Sequence, residues 1–218
     1  VILEQLNNAF VELVNASSYY RSPSEITVFA NQASGSYFRE LAEQFQRTSI
    51  LSSKLTVFYR QYPMVDSGDT TLEGQIIYNI PEAIEDGLVV YDVPLITATY
   101  GTTFVTAPPI TDNQWNGRLN DPVAPPSEAE PIAKYYGDNQ FLILPEPDDQ
   151  SAYVLTYPTD CNIVYDVNGD YDAGASTDLE WNLDAIVPLL SRMLQYAGLN
   201  LESSLISQVA AKFSQTNK

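Results

Sequence analysis

The chain contains no histidine and a single cysteine, Cys161. Without histidine it lacks the commonest general base and the commonest metal ligand. A Ser-His-Asp or Cys-His catalytic site therefore cannot be assembled from this chain. One cysteine cannot form an intrachain disulfide or a paired zinc site, which argues against a disulfide-stapled secreted scaffold. Cys161 itself reads as a small hydrophobe in or beside a strand. Positive charge is scarce: 10 Lys and Arg face 28 Asp and Glu, a net charge of −18. Counterion release on nucleic acid needs cations that this chain does not have, and an anionic membrane surface would repel it. No hydrophobic run approaches the length of a transmembrane helix. The opening "VILEQLNNAFVELVNASSYY" mixes an acid and amides into its first eight residues, unlike a signal peptide.

What the chain does have is 44% hydrophobic residues over 218 positions. That is enough for one sizeable core, or for one domain with a large insertion. Fifteen tyrosines suit wet interfaces, where a large apolar ring with a polar tip serves well.

Three zones follow from periodicity. In the first, Leu3, Leu6, Phe10, Leu13 and Val14 recur at helical spacing. Ser22, Pro23 and Glu25 then form an N-cap, a first-turn proline and a capping box. Ile26, Phe29, Ala30, Ala33, Tyr37, Leu41 and Phe45 continue as an apolar stripe, so residues 1–53 read as a helical hairpin and its exit. In the second zone, "KLTVFYRQY", "GQIIYNI", "LVVYDV", "LITATYGTTFVT", "QFLIL" and "AYVLTY" read as strands with prolines at their ends. Residues 107–131, "APPITDNQWNGRLNDPVAPPSEAEP", hold six prolines and show almost no helix or strand pattern. So long a loop implies a functional arm or a linker. In the third zone, Thr177 and Glu180 offer another capping box ahead of Leu179, Leu183, Ile186, Val187, Leu190 and Leu194. Pro188 predicts a kink there or a later start, and Gly198 a stop. Asn200 caps a last helix bearing Leu201, Leu205, Ile206, Val209 and Phe213. The expected fold class is α+β. Residues 1–53 and 176–218 form a helical bundle, and 54–175 form a β-rich insertion with the proline-rich arm 107–131.

Candidate chemistry is sparse. In "IVYDVNGDYDAGAS" (163–176), Asp166, Asn168, Asp170 and Asp172 alternate as oxygen ligands do in a calcium loop. The EF-hand pattern demands Gly at position 6 and Glu at position 12; counted from Asp166 these are Tyr171 and Thr177. Asn168-Gly169 is a strong turn dipeptide, so the turn reading fits better, with a looser acidic cation site left open. Carboxylate pairs such as Asp66/Asp69, Glu85/Asp86, Asp148/Asp149 and Asp170/Asp172 could serve a glycosidase. Any chain this acidic supplies such pairs, and these sit beside turn residues. No catalytic, cofactor-binding or metal-binding residue is assigned, and no cofactor is implied. From Gln61 to Gln150 fifteen acids face only Arg118 and Lys134. That is either a solvated surface or the wall of a passage that must not hold DNA, and composition does not choose.

"SPSEITVFANQASGSYFRELAEQF" (22–45), with Asn31, Ala33, Tyr37 and Phe38, resembles the N-terminal helical hairpin of neck, or ring, proteins of tailed bacteriophages, particularly crAss-like phages and related phages of Bacteroidetes. "FLILPEPDDQSAYVLTYPTDCNIVY" (141–165) resembles their strand–proline–strand signature, with Pro145, Tyr157 and Pro158 in order. "STDLEWNLDAIVPLLSRMLQYAGLNLESSLISQVA" (176–210) resembles their closing helix pair. Residues 60–135 match nothing recognisable. The resemblance implies a non-enzymatic virion protein, made in the host cytoplasm. It would form a dodecameric homo-oligomeric ring between the portal protein and an adjacent neck or tail protein. Genomic DNA would pass the lumen without specific binding, no membrane would be involved, and arm 107–131 would reach a neighbouring subunit. The alternative is a tail-associated carbohydrate-binding or adhesin module. There Trp115, near Asp112 and Asn113, would stack on a sugar, unless it is simply a loop anchor.

Overall fold

The computed structural model describes residues 2–15, 21–80, 88–137, 139–199, 206 and 208. These form a mixed α+β fold with four α-helices and two antiparallel sheets. The chain divides into two compact units, one of residues 1–57 with 158–218 and one of residues 58–157.

The first unit contains α1 (Ile2–Asn15), α2 (Pro23–Thr48) and α4 (Ile186–Tyr196). α1 buries Leu3, Leu6, Phe10, Leu13 and Val14, the stripe its periodicity predicts. Its first amides are capped from far along the chain: Asp178 accepts from the N–H groups of Ile2 and Leu3 at 3.2 and 2.7 Å. Those donors have no partner within a helix, so a distant carboxylate both satisfies them and ties two segments together. α2 starts as expected. The Ser22 hydroxyl accepts from the Glu25 amide, the Glu25 carboxylate accepts from the Ser22 amide, and Pro23 opens the first turn. It ends at Ser49, whose φ of 56° reverses the chain. α4 packs on both α1 and α2.

Two expectations for the third zone change. Thr177 caps no helix; it forms a β-bridge with Asn162 through two main-chain hydrogen bonds. α4 begins at Ile186 after a short 3-10 turn, Leu183–Ala185. Pro188 thus falls in the first turn, where its missing N–H costs nothing. Gly198, at φ 80°, stops the helix: Leu199 N–H donates to Leu194 C=O and Gly198 N–H to Gln195 C=O, a Schellman arrangement. The expected last helix lies almost wholly outside the described residues; Ile206 and Gln208 are helical, and Ile206 is buried.

Residues 158–175, expected within the β-rich insertion, belong to the helical unit. The Asn31 amide group of α2 clamps the Cys161 main chain, donating to its C=O at 3.1 Å and accepting from its N–H at 2.8 Å. Thr27 accepts from the Ile163 amide, and Tyr165 donates to Asn7. Hydrophobic period alone does not reveal such side-chain-to-backbone ties.

The second unit is built from two four-stranded sheets. One is ordered β1 (Tyr59–Pro63), β8 (Asp149–Thr156), β4 (Val90–Tyr100), β5 (Thr103–Ala107). The other is ordered β2 (Val65–Thr70), β3 (Ile76–Asn79), β7 (Gln140–Leu144), β6 (Ile132–Gly137). Both sheets feed one core that includes Tyr62, Tyr78, Ile96, Tyr100, Phe141 and Val154. Pro94 does not end a strand but lies inside β4, at the register shift between Asp92 and Leu95. A bulge tolerates the missing donor there. β2 and β6 were not expected. "VDSGDT" has no apolar alternation and pairs through a register shift of its own, and "IAKYYG" follows directly on the proline-rich stretch.

That stretch is not without structure. It contains α3 (Asp112–Leu119), opened by a complete capping box between Thr111 and Gln114. The T-x-x-Q signal was present in the sequence. α3 plants Trp115, 2% exposed, among Ile77, Ile132 and Leu142.

Candidate functional site

Four features that could carry function lie within one unit or the other: the 163–176 loop, the carboxylate pairs, Trp115, and the concave surfaces.

In the loop, the oxygens that a cation would need are already engaged. Asp166 Oδ1 accepts from the amides of Asn168 and Asp170 at 2.8 and 2.9 Å, and Oδ2 accepts from the Asn168 side chain. The Asp170 amide and the other donors hold the Asp166 carboxyl below its ordinary range. Asp166 and Asp170 also bond through the main chain, beside a bridge between Tyr165 and Tyr171. Asp172 Oδ1 accepts from Gly174 and Ala175. These are Asx turns closing a small hairpin. Among the described residues, no three acidic or cysteine side chains converge as metal ligands.

The carboxylate pairs serve turns as well. Asp66 accepts from the Gly68 amide in β2. Asp148 accepts from Gly101 across the β4–β5 turn, while Asp149 accepts from its own neighbour Gln150. Glu85 and Asp86 lie outside the described residues. A glycosidase needs two carboxyls facing across a cleft, and none of the described pairs lines either groove described below as a pair.

Trp115 takes the anchor role. Its ring is buried, with the Lys134 ammonium 5.2 Å from the ring centroid, and Lys134 also pairs with Asp112 at 3.1 Å. Beside it runs a shallow groove of about 300 Å³ edged by Leu72, Glu73, Asn116 and Tyr136. In the helical unit a larger groove of about 530 Å³ is lined by Phe10, Val14, Arg21, Ile26, Tyr165 and Asp170. Arg21 there is directed by Glu25 and by the Ala197 carbonyl.

Cys161 is buried, and burial first, then the nearby acids Asp160 and Asp178, push its thiol up to about 12. At neutral pH it is protonated and unreactive. Tyr37 is the other ordered cluster. It stacks on Trp181 at 5.1 Å, lies under the Arg192 guanidinium at 4.6 Å, and accepts from the Lys54 ammonium. Arg192 in turn pairs with Glu40, and the Trp181 indole donates to the buried Ser34 hydroxyl. Every charge in this set has a structural partner.

No known protein family matches the chain, and no curated protein is significantly similar to it.

Charge is the one property divided sharply between the units. The β-unit holds fifteen acids and three bases, a net −12; the helical unit holds thirteen acids and seven bases, a net −6. No described helix is long and apolar enough to cross a membrane.

Proposed function

We propose that this chain is a structural, non-enzymatic virion protein of a tailed phage. It is a subunit of a dodecameric ring in the neck, between the portal protein and the adjacent neck or tail protein. In this reading helices from both ends of the chain form a bundle, the β-unit is an insertion into it, and the genome passes the lumen without specific binding.

The observation that carries the reading is how chain and charge are divided. Segments from both ends fold into one unit, as the resemblance of residues 22–45 and 176–210 implies, and the β-unit between them is strongly acidic. An acidic wall suits a passage for a polyanion, since it repels phosphate and offers no sticking point. The engaged carboxylates and the unreactive Cys161 leave chemistry unsupported. Nothing favours the adhesin alternative, because the ring of Trp115 is packed into the core.

The arm 107–131 also changes role. With α3 and Trp115 anchored in the β-unit, deleting residues 109–129 would hollow the core rather than merely release a neighbour.

Negative-stain electron microscopy of the purified chain over a salt series tests ring formation. Closed rings should become more abundant as salt screens the −18 carried by each copy. A chain that stays monomeric at every salt and protein concentration would contradict the reading.

A further inference from the structure

The two sheets of the β-unit have four edge strands: β1 and β5 in one, β2 and β6 in the other. An open edge is a template for pairing with another chain, and proteins blunt the edges they do not use. Three of these four edges are blunted. β1 carries Arg60 and ends in Pro63. β2 carries Asp66, Asp69 and Gly68, and its register breaks between Asp66 and Thr70. β6 carries Lys134 and is partly covered: the Ala133 carbonyl accepts from the Ile110 amide, beside a bridge to Pro109.

β5 is different. Thr103–Ala107, "TFVTA", has no charge, no proline and no glycine, and it pairs with β4 without a register break. The other uncharged strands, β3 and β7, lie inside their sheet. The turn joining β4 to β5 has two residues, Gly101 and Thr102, with Gly101 at φ 60°. In such a hairpin Tyr100 and Thr103 are the hydrogen-bonded pair that closes the turn. Alternation along the ladder then points the N–H and C=O groups of Phe104 and Thr106 away from β4. Among the described residues none bonds to that outer side. The Phe104 side chain is 79% exposed.

We propose that β5 is the edge through which this chain adds, main chain to main chain, to a second copy of itself. Charge selects the partner. Every copy brings a β-unit of net −12, so two copies approach best where neither acid nor base is set along the edge. A basic peptide would instead find its complement along the acid-bearing β2. Phe104 and Thr106 would exchange main-chain hydrogen bonds with the incoming strand, and Phe104 would pack on its neighbouring side chains. The inference stands without the neck reading. Within a ring, β5 would be one of the two unlike patches that a head-to-tail contact needs.

The test uses the full chain and two variants, Thr106→Pro and Thr106→Lys. Because the Thr106 N–H points outward, proline there removes an edge donor without breaking a bond to β4. Lysine keeps the backbone and blunts the edge by charge and bulk. Analytical ultracentrifugation at raised salt should show self-association of the wild type and dissociation constants weakened about tenfold or more by each variant. Circular dichroism should be unchanged in Thr106→Lys. Hydrogen exchange should show the Phe104 and Thr106 amides gaining protection as the chain associates. The proposal is overturned if the wild type does not associate, if Thr106→Lys associates like wild type, or if assemblies form while those two amides exchange as in the monomer.

Discussion

Replacing Trp115 with alanine tests whether residues 107–131 are a loose arm or a folded part of the β-unit. The indole is 2% exposed and touches Ile77, Ile132 and Leu142, with Ile110 and Leu144 packed around them. Truncating a buried tryptophan costs about 3–5 kcal/mol through lost transfer energy and a residual cavity. The Lys134 ammonium over the ring adds about 0.5–1 kcal/mol, since its side chain is 19% exposed and also paired with Asp112. The expected loss is therefore about 4 kcal/mol, roughly a thousandfold in the opening equilibrium that exposes these amides. Trp181 is the only other tryptophan and lies in the helical unit, so fluorescence alone will not report the change. Hydrogen exchange of peptides spanning α3, β6 and β7 will. Trp115→Phe should lose less than half as much, because it refills most of the cavity. A Trp115→Ala variant whose exchange rises less than about fivefold, about 1 kcal/mol, would refute the anchor argument and return Trp115 to the candidates for ligand contact.

Three further outcomes are expected. Ser22→Ala should cost about 1 kcal/mol in urea unfolding by removing half of the capping box of α2; a loss within error of zero would mean that the box contributes nothing. Cys161 should resist a thiol reagent in the native protein and react at once on unfolding, because burial pushes its thiol to about 12; rapid native labelling would contradict its placement against Asn31. Burial, with Glu146 and Asp66 beside Tyr78 and with Glu128 and Asp148 beside Tyr100, raises both phenols to about 12. The unfolded chain therefore ionises first: stability is full below about pH 10 and falls between about pH 10 and 12, by up to about 1.4 kcal/mol per pH unit for each phenol. A Tyr78→Phe, Tyr100→Phe variant should show a shallower decline, and an unchanged slope would place the alkaline sensitivity elsewhere.

The helical starts and stops were the most legible part of the sequence, because they depend on neighbours. Ser22, Pro23 and Glu25 start α2, and Gly198 ends α4, through bonds that span only a few residues. The core strands β3, β4, β7 and β8 also showed, since their apolar runs are long or alternate. Missed features depended on distant partners or weak patterns. Asp178 caps α1 from 175 residues away, and Asn31 holds Cys161 across 130, which moves residues 158–175 into the helical unit. β2 has no hydrophobic period to detect. α3 was hidden by surrounding prolines although Thr111 and Gln114 announced it. The acidic loop was legible as a turn because Asn168-Gly169 outweighed an incomplete ligand pattern. As to function, the sequence offered chiefly its exclusions and its charge, and the structure adds where that charge sits.

The claim at the centre of this account is position in the particle. Gold-labelled antibody against this chain, applied to purified virions of the phage that encodes it, tests that most directly. The account predicts label at the junction of head and tail. Label at fibre tips, or absence of the chain from denatured particles by mass spectrometry, would contradict it.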